Sequence, residues 1–243
     1  MGSLEGKHIL VTGASSGMGR VFCRMIAKEG ARVSLLARNE ERLKETLAMM
    51  EGEGHKLCVC DLTDENQLNA TVGGLDMLDG VVFCAGINDF VPLKFAKQEK
   101  LERIFQTNYF SQVILTQLLV KKKLIRKKAS LVYISSLSSV LGVPGTLPYA
   151  SSKAALNSAV RVIATELASQ GIRANAICPG IVRTEMLGNT NIDEETFTKQ
   201  AKEYPLGLGT SEDVGNAVLY HLSDGSRWLT GNCMILDGGY SLK

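Results

Sequence analysis

Short apolar runs recur along this chain, and segments with helical spacing of apolar residues separate them. The runs predict seven strands: His8–Thr12, Arg32–Ala37 and residues 56–60, 80–84, 130–135, 172–178 and 234–236. The intervening segments predict helices over residues 17–29, 39–51, 97–124 and 149–169, and a further helix that begins at Asp64. Asn39 and Asp64 have the side chains preferred at helix N-caps.

The runs are apolar throughout instead of alternating, which is typical of strands buried on both faces of a sheet. Regular alternation of such strands with helices predicts an α/β fold, a doubly wound parallel sheet with helices on both faces. No linker, repeat or low-complexity segment interrupts the pattern, so residues 1–243 are predicted to form one domain. Ligands of such sheets bind beyond the carboxyl ends of the strands.

The amino-acid composition narrows the classes of protein to which the chain can belong. The 243 residues are 45% apolar and 21% charged with a net charge of +2, which is ordinary for a globular protein and excludes disordered and collagen-like chains. Six scattered cysteines form no C-x-x-C pair or zinc-ligand spacing, and three histidines are isolated. We therefore expect no metal, no nucleic acid, reduced cysteines and a cytoplasmic location.

The longest charge-free stretch, residues 129–152, contains seven serines together with Pro144 and Pro148. Prolines and serines at this density argue against a membrane-spanning helix. We expect this stretch to approach a bound molecule instead.

A glycine-rich turn follows the first predicted strand and begins the first predicted helix. It has the spacing Gly13-x-x-x-Gly17-x-Gly19, with Ser15, Ser16 and Met18 in between. Glycines permit a close approach to a pyrophosphate, and the helix N-terminus supplies N–H groups and a positive dipole end. A turn with no ligand is the alternative.

The end of the second strand bears on cofactor choice. An acid that binds an NAD ribose is expected about twenty residues after the glycines, but Ala37 and Arg38 occupy this place. A guanidinium suits the 2′-phosphate of NADP, although Arg38 could be a solvated surface residue. Asp61 and Leu62, after the third strand, could hold the adenine, and Asp61 could equally be a turn or cap residue.

Three residues form a candidate catalytic group. Tyr149 and Lys153 are four apart and share a helix face, and Ser136 follows the fifth strand. We expect the Lys153 ammonium to lower the pKa of Tyr149, which would donate a proton to a carbonyl oxygen oriented by Ser136. A Tyr-x-x-x-Lys pair alone is often a surface pair.

Together these motifs resemble the short-chain dehydrogenase/reductase family over essentially the whole chain. The matching residues are Thr12, Gly13, Gly17, Gly19, Asp61, Ala85, Gly86, Asn108, Ser136, Tyr149, Lys153, Pro179, Gly180 and Thr184. The resemblance implies a single-domain Rossmann fold, hydride transfer with NADP(H) or NAD(H), and a homodimer or homotetramer.

By the same resemblance, Lys153 also binds the nicotinamide ribose, and Asn108 holds a water in a proton relay. Backbone groups at Pro179, Gly180 and Val182, with the Thr184 hydroxyl, fix the nicotinamide ring. Two positions depart from the family pattern. Phe83 and Cys84 replace two asparagines before Ala85-Gly86, which removes side-chain bonds between strands. Ser16 replaces a residue that is basic in many NADP-preferring members.

The substrate is less constrained. The chain length, the compact segment 188–204 and the Asp237-Gly238-Gly239 ending resemble 3-oxoacyl-[acyl-carrier-protein] reductases of fatty acid biosynthesis. Six basic residues within positions 121–128 could steer an acidic carrier protein, or could simply be a solvated helix end. Gln170 stands where those reductases often have a basic residue, which counts against a carrier-bound substrate.

Two alternatives follow for function, and one for assembly. The chain could be a dehydrogenase of a sugar, steroid or other small alcohol. It could also be an inactive dinucleotide-sensing or scaffold protein, although the presence of Asn108, Ser136, Tyr149 and Lys153 together argues against this. The uncharged run 104–120 and the helix of Tyr149 could form subunit interfaces or belong to the core.

Overall fold

A computed structural model describes residues 2–182 and 201–242, and it confirms the predicted doubly wound sheet. The seven strands are all parallel and run in the order β3-β2-β1-β4-β5-β6-β7. They are β1 (His8–Thr12), β2 (Arg32–Ala37), β3 (Lys56–Val59), β4 (Leu78–Phe83), β5 (Ile125–Ile134), β6 (Arg173–Pro179) and β7 (Cys233–Leu236). The strand order reverses direction between β1 and β4, where such folds bind ligands.

Helices cover both faces of this sheet. The described helices are α1 (Gly17–Lys28), α2 (Glu40–Ala48), α3 (Glu65–Gly73), α4 (Gln98–Phe105), α5 (Ser111–Lys121), α6 (Leu147–Leu167) and α7 (Ser211–Leu222). One apolar cluster packs α3, α5 and α6 on one face, and a second packs α1, α2 and α7 on the other. Among the described residues, no helix combines the length and apolar character needed to cross a membrane.

Most predicted bounds agree with the structure within a few residues. Asn39 and Asp64 both act as N-caps, since Asn39 accepts a hydrogen bond from the Arg42 N–H and Asp64 accepts from the Asn66 and Gln67 N–H groups. All six cysteines are free.

Two predicted elements differ from those observed. The helix predicted over 97–124 is divided, because a π-helical turn (Gln106–Phe110) separates α4 from α5. Strand β5 begins five residues before its predicted start at Ser130, since exposed charged residues 126–128 belong to the strand at an irregularity in its pairing with β4. Charged side chains at the solvent-exposed end of a strand do not prevent backbone pairing. They do interrupt the apolar run from which the strand was predicted.

Candidate active site

The glycine-rich turn lies between the carboxyl end of β1 and the first turn of α1. Gly13 and Gly17 have φ values of +70° and +48°, the left-handed region that favours glycine. A Cβ at Gly13 would lie 3.0 Å from the Ala85 backbone, and one at Gly19 would collide with the Gly13 carbonyl. The glycines therefore keep this turn closely packed against both the start of α1 and the residues after β4.

The N-terminus of α1 is suited to an anionic ligand. Ser16 is the N-cap residue, but its side chain makes no capping hydrogen bond, and the first turn carries no acidic side chain. The N–H groups of a helix's first turn have no partner inside the helix. This turn therefore fits the pyrophosphate of a dinucleotide, with Ser15, Ser16, Gly17 and Met18 contributing the surrounding groups.

Thr12 joins β1 to the segment after β4 by hydrogen bonds. We did not expect side-chain bonds between strands here, because Phe83 and Cys84 replace the family's two asparagines. The Thr12 hydroxyl accepts hydrogen bonds from the N–H groups of Cys84, at 3.0 Å, and Ala85, at 3.1 Å. Gln112 adds a second contact, since its amide donates to the Ala85 carbonyl at 2.9 Å. The segment after β4 is thus held to β1 and to α5 without the family's asparagines.

Arg38 and Asp61 lie together at the carboxyl ends of the neighbouring strands β2 and β3. Arg38 Nη1 is 3.7 Å from Asp61 Oδ2, and the arginine side chain is 73% exposed. Burial acts to raise the pKa of Asp61, but hydrogen bonds from Thr63 and the Arg38 charge outweigh it, so the pKa is lowered. The pair therefore presents an accessible guanidinium and an ionised carboxylate at the carboxyl ends of β2 and β3. Leu62, next to Asp61, is buried in the core.

The residues Ser136, Tyr149 and Lys153 converge at the carboxyl end of β5. Ser136 begins a short 3₁₀ turn after the strand, and its hydroxyl accepts the Ser138 N–H at 3.2 Å. Tyr149 and Lys153 project from the first two turns of α6, and Lys153 is only 3% exposed. Lys153 Nζ donates to the Ile134 carbonyl at 2.7 Å and lies 5.8 Å from the centre of the Tyr149 ring.

Burial dominates the titration of this group. It raises the pKa of Tyr149, and the Ser136 hydroxyl lowers that pKa only partway. Burial also lowers the pKa of Lys153 to about 8. We expected Lys153 to lower the pKa of Tyr149, but that pKa is raised. The Lys153 ammonium is directed to the Ile134 carbonyl, and burial removes the Tyr149 ring from water.

Asn108 lies in the π-helical turn and is fully buried. Its side-chain carbonyl accepts the Ile87 N–H at 2.8 Å, and its amide donates to the Ile87 carbonyl at 2.9 Å and to the Ser152 hydroxyl at 3.1 Å. A Cβ at Gly86 would lie 3.3 Å from Asn108 Oδ1 and 3.5 Å from Lys153 Nζ. The glycine thus leaves space beside both side chains.

Half-buried Ser139 and buried Asn157 support the backbone of Ser136 through hydrogen bonds. The Ser139 hydroxyl donates to the Ser136 carbonyl, and the Asn157 amide donates to the Ser139 hydroxyl at 2.8 Å. Asn157 lies one helical turn after Lys153 on α6. This chain of bonds links the backbone of Ser136 to the same helix that carries Tyr149 and Lys153.

The turn after β6 is fixed at several atoms. The Gly180 N–H donates to the Leu236 carbonyl at 2.9 Å, and the Ile181 N–H donates to the Tyr204 hydroxyl at 3.1 Å. Val182 forms an isolated parallel bridge with Gly209. Thr184 and most of segment 188–204 lie outside the described residues, so their predicted roles stay predictions.

The sequence analysis did not predict several residues that support the site by hydrogen bonds: Gln112, Ser139, Ser152, Asn157 and Tyr204. A signal did exist for two of them. Gln112 and Asn157 follow Asn108 and Lys153 by four positions, so each shares a helix face with a candidate site residue. Within the part of the chain that the structure describes, no three His, Cys, Asp or Glu side chains are placed to hold a metal.

The basic run 121–128 precedes most of β5, whereas Ser136 follows it. Lys127 and Ser136 are nine positions apart along β5 and the residues directly after it, which is about 30 Å at the usual rise of a strand. The run therefore lies toward the amino end of the strands, whereas Ser136 lies at the carboxyl end. Steering of an acidic carrier and a solvated helix end both stay predictions for this run.

Comparisons with known proteins find similarity over nearly the whole chain. A family model described as "Enoyl-(Acyl carrier protein) reductase" matches residues 13–241. The 3-oxoacyl-[acyl-carrier-protein] reductase FabG of Rickettsia felis is 31% identical over 97% of each chain. Cyclopentanol dehydrogenase of Comamonas is 32% identical over 99% of each chain. A solved short-chain type dehydrogenase/reductase from Mycobacterium ulcerans superposes with a TM-score of 0.89 at 27% identity, covering 99% of this chain and 91% of that one.

Proposed function

Because this chain belongs to the short-chain dehydrogenase/reductase family, whose members use NAD(P)(H), we propose that it is an NADP(H)-dependent reductase of ketones working as a single domain. The observation that carries the proposal is the convergence of Ser136, Tyr149 and Lys153 beside the glycine-rich turn. An inactive sensor or scaffold would not require a buried lysine beside a tyrosine at this edge.

NADP(H), held by the glycine-rich turn and Lys153, would supply the hydride that reduces the carbonyl carbon. Tyr149 gives its phenolic proton to the carbonyl oxygen, so the ketone becomes a secondary alcohol. Ser136 hydrogen-bonds the same oxygen and orients it. Lys153 holds the nicotinamide ribose and, with Asn108 and a water, returns a proton from solvent to the Tyr149 phenolate. The reverse sequence oxidises an alcohol.

The proposed cofactor site draws on six segments at the carboxyl ends of the strands. The residues proposed to contact the cofactor are Gly13, Ser15, Ser16, Gly17, Met18, Gly19, Arg38, Asp61, Leu62, Cys84, Ala85, Gly86, Tyr149, Lys153, Pro179, Gly180, Val182 and Thr184. The exposed guanidinium of Arg38 supports the choice of NADP, because it can pair with the 2′-phosphate.

A 3-oxoacyl thioester is the proposed substrate. Exposed apolar side chains occupy the loops that follow β4 and β5 and the first position of α6: Phe90, Val140, Val143 and Leu147. The Val91 N–H donates to the Gly145 carbonyl at 2.7 Å and joins these two loops beside the start of α6. An apolar wall suits an acyl chain and disfavours a sugar, and the Rickettsia relatives' name supports a carrier-bound form.

A small cyclic alcohol is the second candidate. The same apolar wall would accept a cycloalkane ring, and the similarity to cyclopentanol dehydrogenase supports it.

The proposed assembly is a homodimer or homotetramer. It is supported by exposed apolar side chains on the helical surfaces of the run 104–120 and of α6: Phe110, Ile114 and Val162.

A cofactor-oxidation screen tests the proposal. Acetoacetyl thioesters, cyclopentanone and a keto sugar would each be offered with NADPH and with NADH. We expect NADPH oxidation to be fastest with the thioester. Turnover only with the sugar would refute the substrate assignment, and no turnover or cofactor binding at all would refute the reductase.

A further inference from the structure

Tyr204 is buried against the turn that follows β6. The residue ends the segment 188–204, was not among the predicted site residues, and has only 6% of its surface exposed. Its hydroxyl accepts the Ile181 N–H at 3.1 Å. Burial raises the pKa of Tyr204, and this hydrogen bond lowers it partway. The phenol is therefore neutral at physiological pH and acts as an acceptor to the backbone.

The ring of Tyr204 also determines how the turn packs. A Cβ at Gly180 would lie 2.9 Å from Tyr204 Cε1, so the ring rests directly against the glycine backbone. On its other side, the ring stacks on Tyr240 with centres 4.7 Å apart. The aromatic side chain thus lies between the turn after β6 and the end of the chain.

The remaining bonds of the turn come from the same neighbourhood. The Gly209 N–H donates to the Ile181 carbonyl at 3.2 Å, and the Leu206 N–H donates to the Gly238 carbonyl at 3.0 Å. Both the donor and the acceptor of Ile181 are consequently used by the segment 204–209. Ile181 is half-buried, and loss of the Tyr204 hydroxyl would take this partner from its N–H and release the peptide.

We propose that Tyr204 is a positioning residue for the nicotinamide end of the cofactor, through its hydrogen bond to Ile181 and its contact with Gly180. The inference rests on the proposed function, in which Gly180 and Val182 bind the nicotinamide. Tyr204 touches neither cofactor nor substrate in this assignment. It fixes the backbone that does, and it links that backbone to the segment after residue 200.

Tyr204→Phe tests this inference, because it deletes only the hydroxyl and keeps the stacked ring. Tyr240→Phe is the matched control, since the Tyr240 hydroxyl has no hydrogen-bond partner among the described residues. The affinities of NADPH and of adenosine 2′,5′-bisphosphate, which lacks the nicotinamide, would be measured by fluorescence and calorimetry. We expect Tyr204→Phe to weaken NADPH binding about fivefold or more and to leave the bisphosphate unchanged.

Gly180→Ala provides a second test that does not depend on the folding of the first variant, because its methyl group would press on the Tyr204 ring at 2.9 Å and on Asp237 Cα at 3.1 Å and so shift the turn. It should show the same selective loss. Equal weakening of both ligands, or no change in NADPH affinity in Tyr204→Phe, would overturn the inference. If the wild-type protein itself does not bind NADPH, the proposed function fails, and this result is separate from either outcome of the variants.

Discussion

Lys153 Nζ lies 2.7 Å from the Ile134 carbonyl oxygen, in a position where burial lowers the pKa of the ammonium to about 8. The bond fixes the side chain across the end of β5, beside the space that Gly86 leaves open. A lysine that loses its charge near neutral pH makes cofactor binding sensitive to pH.

We expect the NADPH affinity to fall as pH rises through about 8. With one hydrogen on the Ile134 carbonyl, the charged form of Lys153 keeps two donors for the ribose, whereas the neutral amine keeps only one. The dissociation constant, measured by nicotinamide fluorescence from pH 6 to 10, checks this. In Lys153→Arg the guanidinium stays charged throughout this range, so the change near pH 8 should disappear. An affinity of the wild type that is constant to pH 10 would contradict the assignment.

Arg38 sets the cofactor preference in this proposal. Arg38→Ala should raise the dissociation constant of NADPH by about 10-fold to 100-fold, the effect of one charge-assisted hydrogen bond of ~1.5–3 kcal/mol. NADH affinity should change less than about twofold, because NADH has no 2′-phosphate. Arg24→Ala, an exposed arginine on α1, is the control. An NADH preference in the wild type would refute the role of Arg38.

Ser139 is expected to position Ser136 through its backbone. Ser139→Ala removes the bond to the Ser136 carbonyl and leaves the Asn157 amide without that partner. We predict a fall in kcat of about fivefold or more, with the KM for NADPH unchanged. Ser138→Ala, which deletes a hydroxyl one residue away, should keep full activity. Similar kcat values for the two variants would remove the positioning role.

His221 is a source of acid sensitivity. Its ring is fully buried, neither ring nitrogen has a hydrogen-bond partner among the described residues, and burial lowers its pKa from 6.5 to about 4. At a pH between 6.5 and about 4, His221 binds a proton in the unfolded chain but not in the folded chain. The free energy of unfolding therefore falls as pH drops from 6.5 to about 4, by ~3 kcal/mol.

His221→Leu replaces the ring with an apolar group of similar volume, so this part of the acid loss should vanish. Urea denaturation at pH 7.5 and pH 5 checks the prediction. The variant should also be more stable at pH 7.5, because two unpaired buried nitrogens are removed. An unchanged difference between the two pH values would show that other groups cause the acid loss.

The sheet was predictable because its strands are continuously apolar. Tyr149 and Ser136 were predictable because Tyr149 lies four positions before Lys153 and Ser136 follows the fifth strand within the same charge-free stretch. The early start of β5 was missed because residues 126–128 are charged on the exposed end of a strand. The π-helical turn at Asn108 has no apolar signature, since its geometry follows from the bonds to Ile87 and Ser152.

The supporting residues were harder to predict for a related reason. Tyr204 and Ile181 are 23 positions apart, and Asn157 reaches Ser139 across 18. Such pairs arise only when the turn after one strand meets a distant segment. No local pattern in the sequence identifies a hydrogen bond that tertiary packing creates.

Transfer of the Tyr149 proton to a carbonyl oxygen is the central claim. The most direct test is NADPH oxidation by wild type and Tyr149→Phe with one acetoacetyl thioester, alongside the NADPH affinity of both proteins. We predict that the variant binds NADPH within about twofold of wild type while its kcat falls by about 100-fold or more. A variant that turns over at a rate near that of the wild type would contradict the claim.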